Sequence, residues 1–199
     1  ADEAAVFAAV RRFLSYLPQN VWELPPLGPR QDPVERSLAG LGDIIPENRT
    51  KPYRMEQIVE AVFDRHSTFP VRATYGKAVL CYLARLDGVA VGVIAHNPMI
   101  YGGAMDGAAA SKYTHFVDVC DTFHLPLVFL VDSPGFLVGS KAERSGALRL
   151  GVQCMMAVSQ ATVPSFTVIL RKCYGLGGGL SQNKLGLDFK IAWPSAEWG

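Results

Sequence analysis

The sequence predicts an α/β fold over residues 53–199, because apolar runs with strand periodicity alternate there with runs of helical periodicity. The clearest local signal is the pair Asp87 and Gly88, which separates two β-rich apolar runs at residues 78–86 and 89–95. An Asp-Gly pair in that setting is typical of a two-residue turn between antiparallel strands. We therefore expect a β-hairpin at the start of the sheet.

Three turns that contain glycine follow successive β-rich runs, at Gly102 and Gly103, at Gly135, and at residues 175–179. In an α/β fold the carboxyl ends of parallel strands lie at one edge of the sheet, and ligands bind there. The order of the turns therefore predicts that all three converge in space.

The other helices and strands follow from hydrophobic periodicity. Apolar residues at three- and four-residue spacing predict helices over residues 53–63, 107–123 and 139–161. Runs rich in strand-forming residues predict strands at residues 127–132, 166–170 and 189–193. The first of these strands is expected to be buried on both faces.

Residues 1–52 differ in composition from the rest of the chain. Residues 1–13 have the pattern of a short amphipathic helix, and residues 13–48 are rich in proline and polar turns. Proline interrupts helices and favours extended backbone before it. The predicted organisation is an N-terminal helix with an extended arm over residues 1–52, and one α/β domain over residues 53–199.

Composition excludes several functional classes. At 199 residues, with 49% hydrophobic and 19% charged residues, the chain is long enough to bury a sizeable core. Its formal net charge is +1 and it has no basic run with interleaved aromatic residues, so we expect no nucleic-acid binding. No stretch approaches the roughly 18 consecutive apolar residues of a membrane span. We expect no membrane association.

The cysteines and histidines indicate no metal site. The four cysteines are far apart and form no CxxC pair, so buried free thiols are expected. The four histidines lack the spacing that places two imidazoles on one helical face. Free thiols suit a reducing compartment, which predicts the cytoplasm or, in a eukaryote, the mitochondrial matrix.

The glycine-rich stretch after residues 166–170 is the strongest candidate for a functional site. The predicted strand stops at Arg171 and Lys172 and opens into a turn with four glycines between residues 175 and 179. Because glycine has no Cβ, such a turn lets backbone N–H groups approach a ligand and form an anion or oxyanion site. The alternative is a flexible surface loop. The pattern of a phosphate-binding loop is absent, since Leu180 and Ser181 follow the last glycine.

Several longer segments together resemble the carboxyltransferase subunit of biotin-dependent acyl-CoA carboxylases, of the propionyl-CoA and methylcrotonyl-CoA carboxylase type. The matching segments are IIPENRTKPY at residues 44–53, YGKAVLCYLARLDGVAVGVIA at 75–95, YGGAMD at 101–106, KYTHFVDVCDTFHLPLVFLVDSPGF at 112–136, ATVPSFTVILRKCYG at 161–175 and AWPSAE at 192–197. Their common order and spacing make the resemblance specific.

The resemblance implies a crotonase-type spiral of ββα units, of which this chain is similar to the C-terminal carboxyltransferase half-domain. It implies transfer of CO2 from carboxybiotin, held on a separate carrier protein, to the α-carbon of an acyl-CoA. The two enolates involved are stabilised in main-chain oxyanion holes. The implied partners are an N-terminal carboxyltransferase half or a second copy, and the biotin carboxylase and biotin carrier subunits, in an oligomer without a metal.

Residue by residue, the resemblance assigns the catalytic oxyanion hole to the main-chain amides of Leu176 and Gly177. It assigns the lining of the biotin site to a second group: Gly135, Phe136, Gly139, Tyr174, Gly175 and Gly178. The chain departs from the family at Gly179, where propionyl-CoA carboxylases have an acid that affects the choice of acyl chain. It also has Leu150 where the family has a histidine.

Alternatives remain open for function and for the charged residues. The chain is either a carboxylase, transcarboxylase or decarboxylase component, a non-catalytic half-domain that completes an assembly, or a crotonase-fold thioester enzyme that works without biotin. Asp106 and Asp132 either position substrate or cap helices and turns. Lys112, Arg171 and Lys172 either meet the phosphates of CoA or the carboxylate of carboxybiotin, or are solvated charges.

Overall fold

A mixed β-sheet forms the centre of the fold in a computed structural model, which describes residues 2–38, 40–182 and 188–199. Over those residues the sheet has seven strands in the order β1-β2-β3-β4-β5-β6, with β7 paired to β5. The strands are β1 Phe69–Val71, β2 Val79–Leu86, β3 Val89–His96, β4 Leu127–Ser133, β5 Ser165–Cys173, β6 Asp188–Ala192 and β7 Glu197–Trp198. The helices are α1 Glu3–Leu14, α2 Leu41–Ile44, α3 Met55–Val62, α4 Gly107–Thr122, α5 Ser140–Arg144, α6 Ala147–Gln160 and α7 Gly175–Gly179.

The predicted hairpin is confirmed. Strands β2 and β3 pair antiparallel from Val79↔His96 to Leu86↔Val89. At the turn φ is 48° at Asp87 and 78° at Gly88, as a two-residue turn with both central residues left-handed requires. Beyond the hairpin, β3, β4, β5 and β6 are parallel neighbours, so their carboxyl ends lie at one edge of the sheet.

Two apolar clusters cover the two faces of the sheet. Helices α4 and α6 pack on one face, where Phe116 and Cys154 belong to the same buried apolar cluster as Phe129 of β4. Helix α3 packs on the other face, where Met55 and Leu130 belong to a second cluster. Strand β4 is buried along its whole length, as the apolar run at residues 127–131 predicts.

The prediction that the third strand stops before Arg171 is wrong. Strand β5 continues to Cys173, because Arg171 is 2% exposed and its charge is balanced by the buried carboxylate of Asp132. Local polarity in the sequence signalled a strand end, but a partner 39 residues earlier stabilises the cation inside the fold.

The single helix predicted over residues 139–161 is also wrong. The structure has two helices there, α5 and α6, separated by Ser145 and Gly146. Gly146 adopts φ of 72°, a left-handed conformation that ends one helix and allows the next to start in a new direction. The short strands β1 and β7 had no sequence prediction, since three and two residues give no usable periodicity.

All four cysteines are free and buried, as predicted. Burial raises the pKa of the Cys81 and Cys154 thiols to about 12, so both are protonated at neutral pH. In the described residues no helix is long and apolar enough to cross a membrane. The same residues contain no group of three or more histidine, cysteine, aspartate or glutamate side chains arranged to hold a metal.

Arg85 of β2 holds the proline-rich segment against the hairpin. Its guanidinium donates hydrogen bonds to the carbonyl oxygens of Ser15 at 2.7 Å, Gly88 at 2.8 Å and Pro26 at 3.0 Å. The same group lies over the ring of Tyr16, 5.0 Å from its centroid. Arg85 is 9% exposed, so these contacts hold its guanidinium largely away from water.

We expect Arg85→Ala to lower the free energy of unfolding by about 2–3 kcal/mol, because it removes three hydrogen bonds made by a charged group and its contact with the ring of Tyr16. Arg11→Ala is the matched control, since Arg11 is exposed on α1, and should change stability by less than about 0.5 kcal/mol. Urea unfolding of both variants measures the difference. Equal stability of the two variants would contradict the role assigned to Arg85.

His96 ends β3 in a buried position, with 3% of its surface exposed. Neither of its ring nitrogens makes a hydrogen bond of good geometry to a described residue. Burial lowers the pKa of His96 to about 4, although the nearby carboxylate of Asp132 and the backbone of Leu130 act in the opposite direction. The unfolded chain binds this proton near pH 6.5. Between about pH 6.5 and 4 the unfolded state therefore binds more protons, and stability falls as the pH falls.

We expect His96→Asn to remove part of the acid sensitivity of the fold. Relative to the variant, the wild type should lose up to about 3 kcal/mol of unfolding free energy between pH 7 and pH 4. His115→Asn is the control, because His115 is exposed on α4. Denaturant unfolding at several pH values gives the comparison, and parallel pH profiles for wild type and His96→Asn would refute the expectation.

Candidate functional site

The three glycine turns converge at the carboxyl ends of β3, β4 and β5, as the sequence predicts. The buried side chain of Ser133 joins them: its hydroxyl donates to the Gly103 carbonyl at 2.9 Å and accepts from the Gly135 N–H at 3.1 Å. The carbonyl of Ser133 accepts from the N–H of Tyr174 at 3.0 Å. Met105, after the first turn, donates its N–H to the Gly135 carbonyl at 2.9 Å.

The glycine-rich stretch after β5 is the short helix α7 rather than an open turn. Two of its glycines are needed because the backbone of α7 packs directly against the backbone of neighbouring residues. A Cβ placed on Gly177 would lie 2.7 Å from the carbonyl carbon of Gly135, and one on Gly178 would lie 2.7 Å from that of Cys173. In contrast, none of the described residues lies within 4 Å of a Cβ placed on Gly179.

At the start of α7, some main-chain N–H groups have an acceptor within the protein and others do not. The N–H of Gly175 donates to the Gly199 carbonyl, and that of Gly178 donates to the Tyr174 carbonyl, both at 3.0 Å. In the described ranges no group accepts a hydrogen bond from the N–H of Leu176 or of Gly177. The first amides of a helix lack partners within the helix, which leaves these two adjacent donors for another acceptor.

The other residues predicted to line a ligand site lie in the turn after β4 and at the start of α7. Gly135 is buried against Gly177. The ring of Phe136 packs against Gly151 of α6, and Gly139 is exposed where α5 begins. The hydroxyl of Tyr174 donates to the carboxylate of Glu197 at 2.6 Å, an interaction that raises the pKa of Tyr174.

The charged residues near the strand ends are engaged within the protein. Arg171 is bound to Asp132 through Nε and Nη2, each 3.1 Å from Oδ2, so it is neither solvated nor free to meet a phosphate. Lys112 is likewise buried, and its Nζ donates to the Val79 carbonyl at 2.8 Å. Asp106 caps α4 by accepting from the Ala109 N–H at 2.7 Å. The capping alternative therefore holds for Asp106.

Sequence reasoning missed the segment around residues 49–53, which closes over the end of β5. The Lys51 carbonyl accepts from Nη1 of Arg171 at 3.0 Å, and the ring of Tyr53 lies 4.9 Å below the same guanidinium. Arg49 forms an ion pair of 2.7 Å with Glu197. No pattern in the sequence indicates these contacts, because they join residues more than 100 positions apart.

A cavity of about 530 Å³ lies beside the turn that follows β4. Leu137 and Val138 of that turn form part of its wall, together with Tyr101, Asp106 and Lys141. A larger, mainly apolar cavity of about 720 Å³ lies away from the glycine turns, along the sheet face that also contacts α3. The smaller cavity adjoins the turns after β3 and β4, and none of residues 174–179 is among the residues that line it.

Comparisons with known proteins agree with the resemblance found in the sequence. The family model described as carboxyl transferase domain matches residues 1–199. The chain is 40% identical over 189 residues to the carboxyltransferase subunit of propionyl-CoA carboxylase from Haloferax mediterranei, covering 94% of this chain and 37% of that protein. It is 37% identical over 198 residues to the alpha subunit of methylmalonyl-CoA decarboxylase from Veillonella parvula, covering 98% and 39%.

Among solved structures, the chain is similar to transcarboxylase 12S, a hexamer studied with hydrolysed methylmalonyl-CoA bound. The TM-score is 0.94 at 36% identity, and the match covers 100% of this chain and 38% of that one. The chain thus spans well under half the length of these relatives. It has the crotonase-type α/β fold of one carboxyltransferase half-domain, and it belongs to the carboxyl transferase domain family.

Proposed function

We propose that this chain is the carboxyltransferase component of a biotin-dependent acyl-CoA carboxylase. It would take part in the transfer of CO2 from carboxybiotin to the α-carbon of an acyl-CoA. The observation that supports this function most directly is the pair of adjacent main-chain donors, Leu176 and Gly177, that no described group occupies. They stand at the carboxyl edge of a parallel sheet, where α/β proteins bind ligands.

The chemistry of the site fits this role. Two N–H groups directed at one oxygen stabilise the negative charge that develops on it as an enolate forms. Carboxybiotin, delivered by a separate carrier protein, would supply the carboxyl group when bound. In this chain Leu176 and Gly177 would hold the oxygen, while Gly135 and Gly178 keep α7 close to the turn after β4.

Gly135, Phe136, Gly139, Tyr174, Gly175 and Gly178 are the proposed lining of the biotin side. Among them, Tyr174 and Gly175 flank the donors directly, and Gly135 is in contact with Gly177. The proposed organisation of the chain is an N-terminal helix and arm over residues 1–52 followed by the catalytic half-domain over residues 53–199.

The assembly of a similar protein is the basis for the proposed partners. Because transcarboxylase 12S is a hexamer, we propose that an N-terminal carboxyltransferase half or a second copy completes the site. Biotin carboxylase and biotin carrier subunits would join it in an oligomer in the cytoplasm. No metal is part of the proposed mechanism.

The decisive experiment measures carboxyl transfer in the native complex that contains this chain. With a carboxylated biotin carrier and acetyl-, propionyl- or a longer acyl-CoA, we expect a carboxylated acyl-CoA as product. Release of CO2 from methylmalonyl-CoA would instead indicate a decarboxylase, and transfer to an oxoacid a transcarboxylase. Thioester turnover without biotin would overturn the proposal, and binding of neither biotin nor CoA would indicate a purely structural half-domain.

We expect Gly177→Ala to lower kcat at least about tenfold, because the methyl group would collide with the Gly135 backbone and displace one of the two donors. Gly179→Ala is the matched control in the same helix, and should retain most of the activity because its methyl group has open space. Carboxyl transfer by both variants of the complete enzyme tests the assignment. If Gly177→Ala kept the kcat of the wild type, the assignment of the two donors would be refuted.

A further inference from the structure

Lys172 joins two of the three turns that form the candidate site. Its Nζ atom donates a hydrogen bond of 2.7 Å to the carbonyl of Gly102 and lies 3.5 Å from Oδ1 of Asp132. Its backbone N–H donates to the same Oδ1 atom at 3.2 Å. The side chain of one lysine therefore contacts the turn after β3, while its backbone lies two residues before Tyr174.

The turn at residues 101–103 has an unfavourable backbone conformation. The φ angles are 51° at Tyr101, 62° at Gly102 and 90° at Gly103, so three consecutive residues are left-handed. For tyrosine this region is strained, and strained backbone persists only where surrounding contacts fix it. The Tyr101 side chain is 61% exposed, so its burial does not provide that stabilisation. The contacts that hold the turn include those from Lys172 and Ser133.

A short series of hydrogen bonds leads from this turn to the proposed oxyanion donors. The Gly103 carbonyl accepts from the hydroxyl of Ser133, and the Ser133 carbonyl accepts from the N–H of Tyr174. Leu176 and Gly177 follow Tyr174 in the chain. A shift of residues 101–103 would therefore reach the donors through groups that are already in direct contact.

We propose that Lys172 is a positioning residue for the carboxyl-transfer site. Its ammonium group fixes the turn at residues 101–103 against the end of β5, and in this way it helps to set the orientation of the Leu176 and Gly177 amides. The expected effect on kcat rests on the proposed function. The coupling between residues 101–103 and the start of α7 does not, because it is a property of the chain itself. Lys172 does not need to touch substrate, because Gly102 and Asp132 already bind its ammonium group.

The test compares Lys172→Met, which keeps the length of the side chain without its charge, with Lys172→Arg, which keeps the charge. Lys77→Met is the control, because Lys77 is exposed in the turn before β2. In the complete enzyme we expect amide hydrogen exchange in Lys172→Met to rise about tenfold at residues 101–105 and also at 174–178, with the hairpin unchanged. Lys172→Arg should restore part of the protection. A rise at residues 101–105 alone would refute the coupling.

Kinetics provide the second measurement. In Lys172→Met we expect kcat to fall about 10- to 100-fold, with KM for the acyl-CoA within about twofold of wild type, and Lys172→Arg should recover part of kcat. Unchanged kcat in Lys172→Met, or an equal loss in Lys172→Arg, would overturn the positioning role. Absence of carboxyl transfer in the wild type would overturn the proposed function instead, and the exchange experiment would still test the coupling.

Discussion

The contact between the backbones of Gly135 and Gly177 is the constraint on which the candidate site depends. Strands β4 and β5 are adjacent and parallel, so their carboxyl ends are separated by only about 5 Å in the sheet. The turns that leave them share this narrow space, and a Cβ on Gly177 would come within 2.7 Å of the Gly135 carbonyl carbon. The absence of side chains here brings α7 close enough for Ser133 and Tyr174 to bond across the gap.

The buried pair of Asp132 and Arg171 supports the same strand ends from the other side. Placing two charges at 0% and 2% exposure costs free energy unless both are paired and hydrogen-bonded. The pair meets this condition with help from outside the sheet, since Lys51 accepts from Arg171 and the ring of Tyr53 lies against its guanidinium. The segment predicted to be an extended arm is thus part of the scaffold that holds β5.

Local signals in the sequence predicted those parts of the fold that local physics determines. The Asp87–Gly88 turn and the buried strand β4 need only their own residues to be identified, and both were predicted correctly. The end of β5 was predicted incorrectly. An arginine is usually exposed, and only the fold shows that Asp132 lies beside Arg171 and balances its charge. The role of Ser133 was missed for the same reason, since its partners at Gly103 and Tyr174 become neighbours only in the folded chain.

A site built from main-chain donors depends on the position of the backbone rather than on the chemistry of side chains. The N–H groups of Leu176 and Gly177 exist whatever side chains neighbour them, provided that the glycines in contact with Gly135 and Cys173 are kept. Position 179 is different, because none of the described residues lies within 4 Å of a Cβ placed there. A side chain at position 179 therefore leaves the packing of these glycines, and with it the position of the two donors, unchanged.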